Sequence, residues 1–167
     1  MGFFSRLFGS SSRPTSTTPQ QIGEALFRQV MERVRDHHAE LESIATLSAP
    51  TKEYLIGLTT FVLAPLEQVL SDVPVPELRA AKSGVRDALM KEFKIQRPSQ
   101  FTPVLNAQMN AYAQMARTRD LPTLGARAAE SIGLDGNFDV ETFLVRSYTS
   151  SLNFWLDALA AFGFDTS

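Results

Sequence analysis

The two histidines of this sequence are adjacent, in the stretch Asp36-His37-His38. His37 and Glu40 are three residues apart, so a helix would place both side chains on one face. A di-iron site in a helical bundle needs two Glu-x-x-His pairs and two further glutamates, and a zinc site usually needs more histidine or cysteine than this chain has. A general base at His37 would have no nucleophile and no oxyanion-stabilising group to act with. We therefore predict no catalytic residue, no metal and no cofactor, and interpret His37 as a polar residue in a helix seam.

A second candidate site is the stretch from Asp135 to Asp139, DGNFD, whose oxygen-bearing side chains resemble the first positions of a calcium-binding loop. Such a loop needs glycine at its sixth position and a bidentate glutamate at its twelfth, where this chain has Val140 and Arg146. The same residues are typical of a turn that ends in a helix cap. We therefore predict a cap at Asp139 and no calcium site.

The third predicted helix carries a basic stripe, formed by Arg79, Lys82, Arg86, Lys94 and Arg97. Their spacing keeps these side chains near one helix face. Residues 79–97 contain six basic and two acidic side chains and so carry +4, in a chain whose net charge is −2. We interpret the stripe as a candidate contact for an anionic partner or for phospholipid headgroups, and an ordinary solvated face is the alternative. No aromatic side chain interleaves the stripe to stack on bases, so we do not expect nucleic acid as a partner.

Two predicted helices lack charge where a solvent-facing helix would carry it, over residues 103–116 and 147–156. A lack of charge is expected both at the core of a protein interface and in the buried centre of a domain. We keep both interpretations, with a ligand pocket between the two helices as a third. The interface interpretation would involve Met109, Tyr112, Met115, Phe154 and Trp155.

Residues 1–18 differ in kind from the rest of the chain. The spacing of Phe3, Phe4, Leu7 and Phe8 would place all four on one face of a short helix. The stretch that follows, residues 9–18 with the sequence GSSSRPTSTT, is typical of a flexible linker. Because so short a helix is not stable alone in water, we expect this amphipathic stub to dock on a protein or a membrane surface.

Residues 19–167 are predicted to form one bundle-like all-α domain of five to six helices, since no comparable stretch alternates with period two. The first helix is capped by Thr18 and extends to about Leu47. Its apolar seam comprises Phe27, Val30, Val34, His37, Leu41 and Ile44. The second helix is predicted to start at Pro50 after a very short turn, which should fold it back against the first. The later helices are predicted over about Glu77–Lys94, from Pro103 with Thr102 as cap, from Asp120 to before Gly133, and from Asp139 to about Phe162.

Length and composition agree with this organisation. The chain has 167 residues, of which 44% are hydrophobic and 20% charged, which is typical of a single folded domain that stays in water. Its net charge of −2 gives no whole-chain attraction for nucleic acid or anionic membrane. Judged by charge-free runs, no stretch is predicted to span a bilayer or to act as a secretory signal. The chain has no cysteine, which leaves the redox compartment open, and we take the cytoplasm as the default.

These patterns lead to hypotheses of different classes. The first is a non-enzymatic interaction or adaptor protein that binds a protein partner or self-associates through its charge-poor helices, with Phe3–Phe8 as a docking peptide. The second is a peripheral membrane protein, at the inner membrane surface, whose stub inserts into the lipid interface while the basic stripe faces anionic headgroups. A helical bundle that binds a small molecule is the third hypothesis.

Overall fold

The computed structural model describes residues 17–161 and 163–167, and this part of the chain folds into six α-helices with no β-strand. The helices are α1 (Pro19–Ile44), α2 (Lys52–Asp72), α3 (Pro76–Glu92), α4 (Pro98–Arg117), α5 (Leu121–Ser131) and α6 (Phe138–Ala161). The predicted all-α class and helix number are confirmed. The stub residues Phe3, Phe4, Leu7 and Phe8 lie outside the described residues.

The N-terminal end of α1 has the local interactions that its sequence predicts. The hydroxyl of Thr18 accepts a hydrogen bond from the Gln21 N–H at 3.2 Å, and the Gln21 side-chain oxygen accepts one from the Thr18 N–H at 3.0 Å. This capping box satisfies two backbone donors that the first turn of a helix leaves without partners.

Two predicted helix starts are wrong. α4 begins at Pro98, so Thr102 and Pro103 lie inside it, because a proline in the first turn loses no helical hydrogen bond and Pro98 can take that position. α6 begins at Phe138, since the Asn137 side-chain oxygen accepts hydrogen bonds from the N–H groups of Asp139 and Val140, both at 3.1 Å. Asn137 is therefore the cap that was predicted at Asp139.

The central helix of the bundle is α2, which contacts each of the other five. Its side chains are buried almost without a break from Leu58 to Leu70. By length and composition α2 could cross a membrane, with a mean hydropathy of 1.3, contrary to the expectation from charge-free runs. However, 67% of that apolar stretch is buried inside the domain, so contact with the other helices already accounts for its apolar character.

The main packing partner of α1 is α3, and its contact with α2 is less extensive. The α1 and α3 backbones meet at Gly23 and Gly84, and a Cβ atom added to Gly84 would lie 2.6 Å from the carbonyl oxygen of Gln20. Two glycines thus allow an approach that any side chain would prevent. The short turn brings α2 beside α1, as predicted, but it does not make α2 the principal partner of α1. α2 begins at Lys52 and not at the predicted Pro50, because the Thr51 hydroxyl caps it by accepting a hydrogen bond from the Tyr54 N–H.

Candidate functional site

A groove of about 1030 Å³ lies between the C-terminal end of α1 and the stretch of α6 from Phe138 to Asn153. It exists because α1 packs mainly on α3, whereas α6 packs on α2 and α5. The direct contact between α1 and α6 is therefore small. We call it the α1–α6 groove. Its apolar lining residues are Ile44, Leu121, Phe138, Phe143 and Val145. Uncharged Ser, Thr and Asn side chains of α6 complete the lining, together with Glu40, Asp139 and Arg146.

The open end of this groove exposes two large apolar side chains. Phe138 is 78% exposed and Ile44 is 36% exposed, and both line the groove. Phe138 is the first residue of α6 and has no preceding helical turn beside it, and Ile44 is the last residue of α1 and has no following turn beside it. Among the described residues the third exposed large hydrophobic side chain is Val104 on α4, which is not part of the groove.

Direct contacts between α1 and α6 lie beside the groove. Arg33 on α1 donates a hydrogen bond from Nη2 to Ser151 Oγ on α6 at 2.7 Å, and its guanidinium lies 4.4 Å from the ring centre of Phe154. The rings of His37 and Phe143 meet edge to face at 5.5 Å. Because Arg33 meets residue 151 and His37 meets residue 143, the two helices run in opposite directions along the groove.

Burial at these α1–α6 contacts disfavours positive charge. Removal from water lowers the pKa of His37, and the nearby Arg33 charge lowers it further, although the hydrogen bond from His37 Nδ1 to the Arg33 carbonyl at 2.7 Å acts the other way. Burial also lowers the pKa of Arg33, while the charge of Asp36 raises it. The His37 ring is therefore neutral near pH 7, and it is the polar seam residue that its position in the sequence predicts.

Most of the predicted interface residues lie inside the domain. Four are at most 8% exposed, namely Met109, Tyr112, Met115 and Trp155. The ring of Tyr112, for example, packs edge to face on Phe61 of the central helix at 5.6 Å. These side chains are already covered by the protein's own helices, so the interface prediction does not hold for them and the buried-centre alternative accounts for the missing charge. Phe154 is half-buried beneath Arg33.

The centre of the predicted basic stripe is paired within the protein. Arg86 donates two hydrogen bonds to the carboxylate of Glu67, each at 3.1 Å, and Lys82 Nζ lies 3.4 Å from the same carboxylate. Lys82 also donates to Ser71 Oγ at 2.8 Å. The Glu67 side chain is 6% exposed. Sequence reasoning did not select Glu67, although it is the single charged residue in the stretch 54–71.

The remaining members of the stripe are spread over the surface. Arg79 is exposed and donates from Nε to the carbonyl of Val73 at 3.2 Å. Lys94 and Arg97 are exposed beyond the end of α3. The stripe therefore has an internally paired centre, with one exposed cation, Arg79, before it and two, Lys94 and Arg97, after it. This leaves less positive charge for an external anion than the sequence predicts.

A polar cavity of about 310 Å³ lies among α2, α3 and α4, next to the Glu67 carboxylate. Its lining includes Gln68, Asn106, Asn110 and Arg117 as well as the ion pair. The buried Asn106 Oδ1 atom has no hydrogen-bond partner among the described residues. The sequence predicted a ligand pocket between the fourth and last helices, but this cavity joins α4 to α2 and α3 instead.

The other histidine also meets a polar partner. His38 Nδ1 lies 2.9 Å from the Tyr54 hydroxyl, and His38 Nε2 lies 3.4 Å from Glu42. Burial and the nearby Glu42 charge raise the pKa of Tyr54 to about 12, so its hydroxyl stays protonated at neutral pH and is a weak nucleophile. In the described ranges no three His, Asp or Glu side chains form a group that could hold a metal ion.

Comparisons of this chain with protein-family models, with curated proteins and with solved structures gave no match.

Proposed function

We propose that this protein is a non-enzymatic interaction module that binds an apolar helical segment of a protein partner in the α1–α6 groove. The observation that carries the proposal is the exposure of Phe138 and Ile44 in one concave surface. Apolar side chains that are grouped and exposed are typical of binding surfaces, whereas isolated ones are ordinary.

The chemistry of the groove supports a peptide helix as the bound element. Amphipathic helices dock in such grooves through apolar side chains three or four residues apart. The α6 side chains that line the groove beyond Arg146 are uncharged, up to and including Asn153. A partner helix would therefore displace little strongly bound water there, and hydroxyl and amide groups remain available to its polar edge.

Site-specific photo-crosslinking of the full-length chain in its natural host tests the proposal. A photoreactive phenylalanine analogue replaces Thr149, which is exposed and lines the groove. The control places the analogue at Gln100, which is exposed on α4 outside the groove. We expect a protein adduct at position 149 and not at position 100, and we expect Phe138→Asp on the same chain to abolish it.

The identity of the adduct decides between the hypotheses. A crosslinked peptide rich in apolar residues supports the proposal. A lipid adduct would instead favour the peripheral membrane hypothesis. No adduct, equal adducts at both positions, or an adduct that survives Phe138→Asp would refute the proposal.

The polar cavity beside Glu67 suggests a second candidate function, the binding of a small polar molecule. The observation in its favour is the buried Asn106 Oδ1, because an unpaired buried acceptor is destabilising unless a donor reaches it. Native mass spectrometry of the full-length chain purified from its host would show an added small molecule. Asn106→Leu should remove that molecule, and unchanged occupancy would reject the cavity as its site.

A further inference from the structure

We propose that the partner helix in the α1–α6 groove is the amphipathic stub, Phe3–Phe8, of a second copy of this chain. The inference rests on the proposed function and names the partner for that groove. It follows from three properties of the chain: the spacing of the apolar residues in the stub, the charge of residues 1–18, and the distance from the start of α1 to the groove.

The apolar residues of the stub are suited to cover the exposed apolar side chains of the groove. If the stub forms a helix, Phe3, Phe4, Leu7 and Phe8 would share one face, and that face would need an apolar surface to bury it. Phe138 and Ile44 are apolar and exposed in the same groove, where a bound apolar segment could cover them. A short helix with aromatic anchors on one face is the kind of ligand that an apolar groove recognises.

The charges are complementary as well. Residues 1–18 contain Arg6 and Arg13 and no acidic residue. The α1–α6 groove has two acidic lining residues, Glu40 and Asp139, against one basic residue, Arg146. The groove therefore carries a net negative charge and the segment a net positive one, which favours their encounter.

Chain length favours a second copy over the protein's own stub. The groove touches α1 at Glu40 and Ile44, and at 1.5 Å per residue Ile44 lies about 38 Å along the helix from Pro19. The eleven residue steps from Phe8 to Pro19 cover at most about 36–40 Å when fully extended. A flexible chain of that length has a typical span of about 17–20 Å. To cover Ile44 and Phe138 of its own chain, the stub would need a linker stretched well beyond that typical span, whereas the stub of a second copy can approach these side chains without that restriction.

Each copy has one stub and one groove, so two copies can exchange stubs and satisfy both grooves in a closed dimer. Sedimentation velocity of the full-length chain over a wide range of concentrations tests this arrangement. We expect concentration-dependent dimers, and we expect Phe138→Asp, or Phe4→Asp with Phe8→Asp, to weaken dimerisation by about tenfold or more, as the loss of one buried aromatic anchor implies. Val104→Asp is the matched control, because Val104 is 64% exposed outside the groove and this variant should dimerise like the parent.

A mixing experiment identifies the two contacting surfaces. The Phe138→Asp chain keeps its stub and the doubly substituted chain keeps its groove, so an equimolar mixture can form one of the two contacts. We expect the mixture to associate more strongly than either variant alone and less strongly than the parent. Failure to do so, a parent chain that stays monomeric, or equal weakening by Val104→Asp would each overturn the proposal. If the crosslinking described above then yields another protein at position 149, the groove function stands and only this choice of partner is wrong.

Discussion

Replacement of Glu67 by Gln removes the negative charge that Arg86 and Lys82 share in the interior. The Glu67 side chain is 6% exposed, and it accepts two hydrogen bonds from Arg86 at 3.1 Å. Glutamine has nearly the same shape but presents an N–H donor where one carboxylate oxygen stood. That donor would face an Arg86 donor, so one hydrogen bond is lost and the two cations are left without a counter-charge.

The expected loss of stability depends on how deeply Glu67 and its two cationic partners are buried. Removing one partner of a fully buried ion pair costs about 3–5 kcal/mol, and a hydrogen bond to a charged group contributes about 1.5–3 kcal/mol. The side chains of Arg86 and Lys82 are 25% and 30% exposed, so water recovers part of the loss. We therefore expect Glu67→Gln to lower the free energy of unfolding by about 2–3 kcal/mol.

Urea denaturation of the full-length chain, followed by circular dichroism, measures this change. The matched control is Asp72→Asn, which breaks the Asp72–Arg117 pair at 3.0 Å, where both side chains are about half exposed (56% and 49%). An exposed pair of this kind contributes about 0–1 kcal/mol and is screened by salt. We expect the Glu67 effect to be several times larger and to persist at high salt.

A double-mutant cycle with Arg86→Met shows whether the loss comes from the Glu67–Arg86 pair. Once Arg86 is absent, Glu67→Gln should be less destabilising than in the parent, because one of the two uncompensated cations has been removed. If Glu67→Gln destabilises the protein no more than Asp72→Asn does, or if the effects of the two substitutions simply add, the assignment of Glu67 as a buried counter-charge is refuted.

Three further perturbations test other parts of the fold. Gly84→Ala places a Cβ atom 2.6 Å from the Gln20 carbonyl oxygen. Despite alanine's higher helix propensity, we therefore expect urea denaturation to show a free energy of unfolding lower by about 1–3 kcal/mol. A higher free energy of unfolding would contradict the close approach of α1 and α3. Folding lowers the pKa of His37, so below about pH 6.5 this group binds a proton more readily in the unfolded chain than in the folded one. The free energy of unfolding therefore decreases as the pH falls, by at most about 1.4 kcal/mol per pH unit from this group. His37→Gln should reduce that acid dependence in denaturation curves recorded from pH 5 to 8, and an unchanged pH profile would show that His37 is not its source. Asn137→Ala removes the acceptor of two N–H groups at the start of α6 and should destabilise the domain by about 1 kcal/mol, whereas no change in the melting temperature would argue against this cap.

The sequence predicted the helices because their signals are local. The Thr18 capping box and the apolar periodicity of α1 depend on residues a few positions apart, and both are present in the structure. The charge at Glu67 is different. Its role depends on Arg86 and Lys82, which lie on the next helix and come close to Glu67 only in the folded protein. The spacing of residues along the chain therefore indicated the basic stripe but not its acidic partner.

The α1–α6 groove could not be predicted for a related reason. Periodicity assigns Ile44 to the same seam as Leu41, yet Leu41 is fully buried and Ile44 is 36% exposed, because the seam extends beyond the neighbouring helices that cover it. Phe138 is 78% exposed at the N-terminal end of α6, where Asn137, and not Asp139, is the cap. Each position is an ordinary helix end when considered alone. Their juxtaposition depends on the antiparallel placement of α1 and α6, which only the tertiary fold determines.

That juxtaposition is the reason to assign a function to these two side chains and not to Val104. A single exposed valine on a helix is ordinary, because folded proteins expose much apolar surface. Phe138 and Ile44 come from helices far apart in sequence and line one groove, where a bound helix could cover both at once. The substitution Val104→Asp therefore separates the two explanations: if exposed apolar area alone drove association, it would weaken dimerisation as Phe138→Asp does, whereas a binding groove requires that only Phe138→Asp has the effect.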